Sequence, residues 1–144
     1  GPIKLKVPLS MGDLDTWKLV AKGYRDDLAG VTKQFKASVK ALDIDWEDVD
    51  FMLDALTDTE KELVLKTARD YGRTKIRDGE NIDDYFPQSK PRWDYNNAGH
   101  YQLLRQYREC VAFGLQNGIP KTVNWGSLFA IKKNPMESPT EFLD

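Results

Sequence analysis

Four groups of residues have the types that chemistry requires. They are His100 with Cys110; the acids Glu47, Asp48, Asp50 and Asp54; the basic cluster Arg73, Lys75 and Arg77; and the lysines Lys33, Lys36 and Lys40. His100 and Cys110 are the single histidine and single cysteine of the chain, so they make neither an ordinary zinc ligand set nor an internal disulfide. No serine or cysteine pairs with His100 by a recognisable spacing. A lone histidine in a helix's first turn reads as a surface or packing residue. Cys110 falls on an apolar helical stripe and reads as core. The four acids suit a carboxylate pair or a calcium loop in type but not in spacing, because no D-x-D-x-D-G loop with a closing Glu is present. Acids in a first turn also complement the helix dipole, which is the simpler reading. The basic cluster lacks a Gly-rich cradle or Walker pattern and reads as solvated loop charge. Three lysines on one helix read as a solvated face, or as a contact for an acidic partner or a neighbouring copy. No catalytic residue, metal ligand or cofactor is assigned.

The elements that carry these residues are helical. The longest helical pattern spans about residues 97–117, with Leu104, Tyr107, Val111 and Leu115 recurring at helical spacing and Leu103, Cys110 and Gly114 beside them. Gly118 and Pro120 end it, by the rule of Gly past the helix end and Pro soon after. A stripe this broad predicts a central helix against which several others pack. A first helix is expected over about residues 11–23, capped by Ser10, with Leu14, Trp17, Ala21 and Tyr24 inward and Asp15, Lys18 and Lys22 outward. After a charged turn at 25–27, a second helix over about 28–42 buries Leu28, Val31, Phe35, Val39 and Leu42, leaving Lys33, Lys36 and Lys40 on other faces. Asp45 caps a third over about 46–56, which buries Trp46, Val49, Met52, Leu53 and Leu56. Thr57 and Glu60 form a capping box that opens a fourth, running to Tyr71. Residues 72–95 read as a long, mostly irregular segment whose second half is pinned by Tyr85, Phe86 and Trp93, and a short last helix is expected over about 123–131.

The fold class is therefore all-α: a compact bundle of about six helices with a short N-terminal strand, Ile3 to Val7, that is half a hairpin or extended on the surface. Residues 1–9 form that strand or partial hairpin, with Gly1-Pro2 read as the remnant of tag removal, so the natural chain is expected to extend beyond this end. Residues 10–132 form the core domain. Residues 133–144 are a Pro-broken linker and the start of a second domain, where Ser138 caps a new helix. A net charge of -2 and a pI near 5.5 argue against a dedicated nucleic-acid binder. No apolar run approaches the roughly 20 residues that span a bilayer, and no signal-peptide pattern is read.

PLSMGDLDTWK at residues 8–18, DWEDVDFMLDALTDTEKELVLKTARD at 45–70, FPQSKPRWDY at 86–95, GLQNG at 114–118 and NPMESPTEFLD at 134–144 stand in a familiar order. On these pieces the chain resembles the N-terminal domain of retroviral Gag capsid proteins, of the gammaretroviral, murine leukaemia virus-like p30 type. The F-P-x-x-x-P-x-W-D-Y loop and the G-L-Q-N helix end are the specific signals.

The resemblance implies a structural, non-enzymatic capsid subunit without cofactors. Such a subunit self-associates into hexameric and pentameric rings that build a shell around an RNA genome, in the virion core and the host cytoplasm. It implies a ring contact on the outward faces of the first two helices, at Asp15, Lys18, Lys22, Lys33, Lys36 and Lys40. It also implies that Asp48 holds the position that pairs with the amine of a free terminal proline and so anchors the hairpin. Ile3 to Val7 aligns with that hairpin's second strand, so no Pro2–Asp48 ion pair is expected. Glu137 and Phe142 match the start of the major homology region, but Lys133 stands where the family usually has Gln. That departure keeps an alternative open: a domesticated endogenous capsid acting in a host cell as a restriction factor or particle former. The implied partners are copies of itself in the full-length parent, and host restriction factors. This fragment alone is expected to be mostly monomeric, with no sequence-specific nucleic-acid binding and no membrane association.

Overall fold

The computed structural model describes residues 9–94 and 96–120. Among them the chain forms α1 (Met11–Lys22), a 3-10 turn (Tyr24–Asp26), α2 (Leu28–Ala41), α3 (Trp46–Leu53), α4 (Asp58–Arg73), α5 (Ile82–Tyr85) and α6 (Ala98–Asn117). The fold is all-α. The expected strand at residues 3–7, the helix at 123–131 and the tail with Glu137 and Phe142 lie outside the described residues.

Each α-helix starts where a short polar side chain accepts an otherwise orphaned backbone N–H: Ser10, Asp27, Asp45, Thr57, Asn81 and Asn97. Two starts are reciprocal boxes, Asp45 with Asp48 and Thr57 with Glu60. Leu104, Tyr107, Val111 and Leu115 are all buried along α6, which packs chiefly on α4 and α2 and forms the axis of the bundle. Trp17 ties α1 to this body: its indole N–H donates to the Met52 carbonyl at 2.7 Å, and its ring lies 6.0 Å from that of Phe35. Tyr24 donates to the carbonyl of Leu115, joining the 3-10 turn to α6.

Three local features go beyond or against the expectations. Leu42, expected inward, is 42% exposed. α2 stops at Ala41 and Asp43 adopts φ 52°, so the chain turns and Ile44 takes the buried place. Arg108 of α6 secures that turn by donating to the carbonyls of Ile44 (2.8 Å) and Val39 (3.3 Å). Next, the segment after α4 is mostly irregular, as expected, but contains one short element that was not foreseen. α5 is a single helical turn that buries Ile82, and Arg69 holds it by donating to the Phe86 carbonyl (3.2 Å) and the Asp83 carboxylate. Four residues are too few to show a helical period. Finally, Gly118 ends α6 in a right-handed conformation (φ −76°), so the left-handed preference of glycine is not what places it. A side chain there would meet the Gly114 carbonyl at 2.6 Å and that of Leu63 at 3.0 Å, so close approach is the reason.

Glu60 makes a testable electrostatic contribution. It is 7% exposed, takes the Thr57 N–H at 2.9 Å and pairs with the Arg25 guanidinium at 2.6 Å. Burial pushes its carboxyl up, but the Thr57 amide and Arg25 outweigh this and hold it below the usual range. A carboxyl lowered on folding stabilises the protein above the unfolded value of about 4.3, and that contribution disappears as pH falls through the folded value. Glu60→Gln is therefore expected to destabilise the domain at pH 7 and to flatten its acid-side loss of stability. Urea titrations between pH 3 and 7 would show this; parallel pH profiles for the two proteins would exclude it.

Candidate functional site

The six charges predicted on the first two helices lie where expected. Asp15, Lys18 and Lys22 are exposed on α1, and Lys33, Lys36 and Lys40 are exposed on α2. None has an ion-pair partner among the described residues. Apolar side chains that the helical stripe did not assign inward are exposed as well. Met11 is 73% and Leu19 68% exposed on α1, and Phe51 is 52% exposed on α3. The sequence held a signal for Leu19: it falls off the Leu14, Trp17, Ala21 stripe, and so has no inward role to explain it.

The acids in and just after α3 make structural contacts. Asp48 is buried, and its carboxylate accepts the Asp45 N–H at 3.5 Å, while its own N–H donates to the Asp45 carboxylate at 2.8 Å. Lys61 bridges Asp50 (2.9 Å) and Asp54 (2.5 Å). Burial pushes the Lys61 ammonium down, but its bonds to Asp54 and Asp50 prevail and hold it above its ordinary value. Of the basic cluster, Arg73 lies 4.0 Å from Asp70, Lys75 sits 4.7 Å from the centre of the Tyr71 ring, and the Arg77 N–H donates to Glu80.

His100 and Cys110 have local roles. The Nδ1 of His100 accepts the Asp94 N–H at 3.0 Å, tying the preceding loop to the start of α6. Cys110 is buried between α6 and its neighbours, and burial, with Glu109 nearby, pushes its thiol up to about 11. A thiol so shifted is protonated at neutral pH and is no nucleophile. Among the described residues no group of His, Cys, Asp and Glu side chains is arranged to hold a metal ion. No described helix is long and apolar enough to cross a membrane.

The segment before α6 is organised around Tyr107. Phe86 packs on its ring at 4.7 Å, Trp46 at 6.1 Å, and Trp93 meets it edge-on at 6.2 Å. The expected pinning of this loop by Phe86 and Trp93 is thus observed. Tyr85 instead donates from its hydroxyl to Glu80, at the surface.

Comparison with known proteins agrees with this architecture. Residues 12–144 match the family model described as Gag P30 core shell protein. The Gag polyprotein of Friend murine leukemia virus (isolate 57) is 33% identical over 144 residues, covering 95% of this chain and 26% of the relative. That of Cas-Br-E murine leukemia virus is 32% identical, with 95% and 26% covered. That of Woolly monkey sarcoma virus is 30% identical, with 95% and 27% covered. The chain spans about a quarter of the length of these relatives. With residues 12–144 matched by the family model and Gag relatives up to 33% identical over 95% of the chain, the chain belongs to the Gag P30 core shell protein family.

Proposed function

We propose that this chain is a structural subunit of a retroviral core shell whose α1–α2 face docks on neighbouring copies to close hexameric and pentameric rings. The observation that carries the reading is that six exposed charges on α1 and α2 have no ion-pair partner among the described residues, while α1 also exposes Met11 and Leu19. Protein interfaces combine exposed apolar side chains with charged ones. A head-to-tail contact that closes on itself gives a ring. Each exposed ion pair contributes only about 0–1 kcal/mol, so single contacts are weak and assembly depends on many of them. Asp48 as hairpin anchor, residues 10–132 as the core domain and residues 133–144 leading into a second domain belong to the same proposal.

Electron microscopy of this domain joined to the C-terminal capsid domain, under high salt and crowding, tests the reading. Tubes or closed shells with a hexagonal repeat are expected. Lys36→Glu or Lys18→Glu should abolish them while changing the domain's own stability by no more than about 0.5 kcal/mol. Particles that form equally well with both substitutions would move the contact to another face. A protein that never assembles would favour a second reading, a domesticated capsid acting through partner binding in a host cell. The lysine at position 133, where the family usually has Gln, supports that alternative.

A further inference from the structure

Two dipeptides in the chain can react with themselves. Of its aspartates only Asp78, and of its asparagines only Asn117, is followed by glycine. No Cβ screens a glycine nitrogen, so it can reach Cγ of the preceding side chain and close a five-membered succinimide. At Asn117 the N–Cγ bond forms and ammonia leaves, carrying the amide proton. At Asp78 the same bond forms and a carboxylate oxygen leaves as water, carrying the amide proton and one from solvent. Water then opens either ring. Cleavage at Cγ gives aspartate. Cleavage at the main-chain carbonyl leaves the glycine joined through Cγ, which is isoaspartate. An ionised carboxylate must take up a proton before water can leave, whereas an amide needs none, so in an unfolded chain Asn117 reacts first.

The fold acts against that order. Asn117 is the last residue of α6. Its Nδ2 donates to the Phe113 carbonyl at 3.0 Å, and the Gly118 N–H donates to the Gly114 carbonyl at 2.7 Å. Ile119 is buried beyond it, and Gly118 lies so close to α4 that an added Cβ would meet the Val64 Cα at 3.1 Å. Attack by the Gly118 nitrogen requires both bonds to break and the peptide plane to turn against that packing. Asp78 stands in the opposite setting. Residues 77–80 form an exposed turn closed by the Glu80 N–H on the Arg77 carbonyl at 3.1 Å. Gly79 takes φ 88°, which glycine adopts without strain, and among the described residues nothing lies within 4 Å of where its Cβ would be. Among the same residues neither the Asp78 carboxylate nor the Gly79 N–H has a hydrogen-bond or ion-pair partner.

We propose that Asp78 is a site of spontaneous isoaspartate formation in the folded chain, and that the end of α6 shields Asn117 from the faster reaction. The product lengthens the main chain by a methylene and leaves a free α-carboxylate at the exposed turn. An L-isoaspartyl methyltransferase takes that group as substrate, moving a methyl from the sulfonium of S-adenosylmethionine to a carboxylate oxygen. Both reactions need only the folded domain and water, so they stand apart from the shell reading.

The test ages the chain at neutral pH and body temperature, folded and in guanidinium. Isoaspartate is read by methyltransferase labelling with S-adenosylmethionine and placed by peptide mapping. Deamidation of Asn117 is read as the mass change from amide to acid. In guanidinium Asn117 is expected to react first. In the folded chain its rate should fall by at least about tenfold, because the end of α6 must open first, while Asp78 should keep its unfolded rate to within about fivefold. Asp78→Glu should remove the label from this turn, since closure would need a six-membered ring, and should leave the urea midpoint in place because residue 78 is exposed. No isoaspartate at Asp78 in the folded chain, over a period in which the unfolded chain is modified there, would overturn the proposal. So would deamidation of Asn117 at its unfolded rate, or labelling of residues 77–80 that persists after Asp78→Glu.

Discussion

Replacing Gly114 with alanine is expected to destabilise the domain by about 2 kcal/mol or more, although alanine is the better helix former by about 1 kcal/mol. An added Cβ would lie 2.3 Å from the Val64 carbonyl oxygen and 3.0 Å from the Ala68 Cβ. The oxygen belongs to the backbone of α4 and cannot turn aside as a flexible side chain would. Relief requires α4 and α6 to separate, which loosens the packing around Val64, Ala68, Val111 and Leu115, all buried with almost no exposure. The loss is large against the 5–15 kcal/mol that holds a typical domain together. Urea unfolding should show a lower midpoint at an unchanged slope. The matching control is Gly12→Ala in α1, where the nearest atom to the added Cβ is the Ser10 Oγ at 3.9 Å. That change should be neutral or stabilising by up to about 1 kcal/mol. A Gly114→Ala protein as stable as the parent would refute the close-approach account of the α4–α6 crossing.

Tyr107→Ala is expected to be the most damaging single truncation, at about 3–5 kcal/mol. The ring is 2% exposed and supports Phe86, Trp46 and Trp93 at once. Its removal leaves a cavity and also takes away the seat of residues 86–94. Two readouts follow: a fall in the urea midpoint, and a red shift of tryptophan emission under native conditions as Trp46 and Trp93 gain water. Burial pushes the phenol well above its ordinary range, so the hydroxyl stays neutral and contributes no charge. Tyr107→Phe should therefore lose less than about 1 kcal/mol. Equal losses for the two variants would show that the hydroxyl, not the ring, holds the loop.

Much of the bundle was legible before any coordinates. Ser10, Asp45, Thr57 and Glu60 announce helix starts because a cap and its target amide lie three residues apart. Trp17, Ala21, Val31, Phe35, Val39 and the α6 stripe announce inward faces because a helix repeats every 3.6 residues. α5 was not legible, since one turn is shorter than the period that would reveal it. Leu42 was misread because periodicity carries an apolar stripe past the point where a left-handed Asp43 turns the chain away. The charged face of α1 and α2 was placed on its exposed side by the same periodicity. Its lack of ion pairs among the described residues was not readable, because pairing depends on what other helices bring near.

The sequence by itself determined that this protein is an all-α bundle, where most helices begin, which residues they bury and which family's motifs they carry. Those properties are written within a few residues of one another. Only the tertiary structure decided that Gly114 and Gly118 serve a close helix crossing, that Arg108 of α6 closes a turn more than sixty positions earlier, and that Tyr107 seats Phe86, Trp46 and Trp93 at once. The physical reason is the same in each case. Local hydrogen bonds and periodicity act along the chain, whereas close approach, long-range donors and shared ring contacts depend on the distances at which packed helices cross.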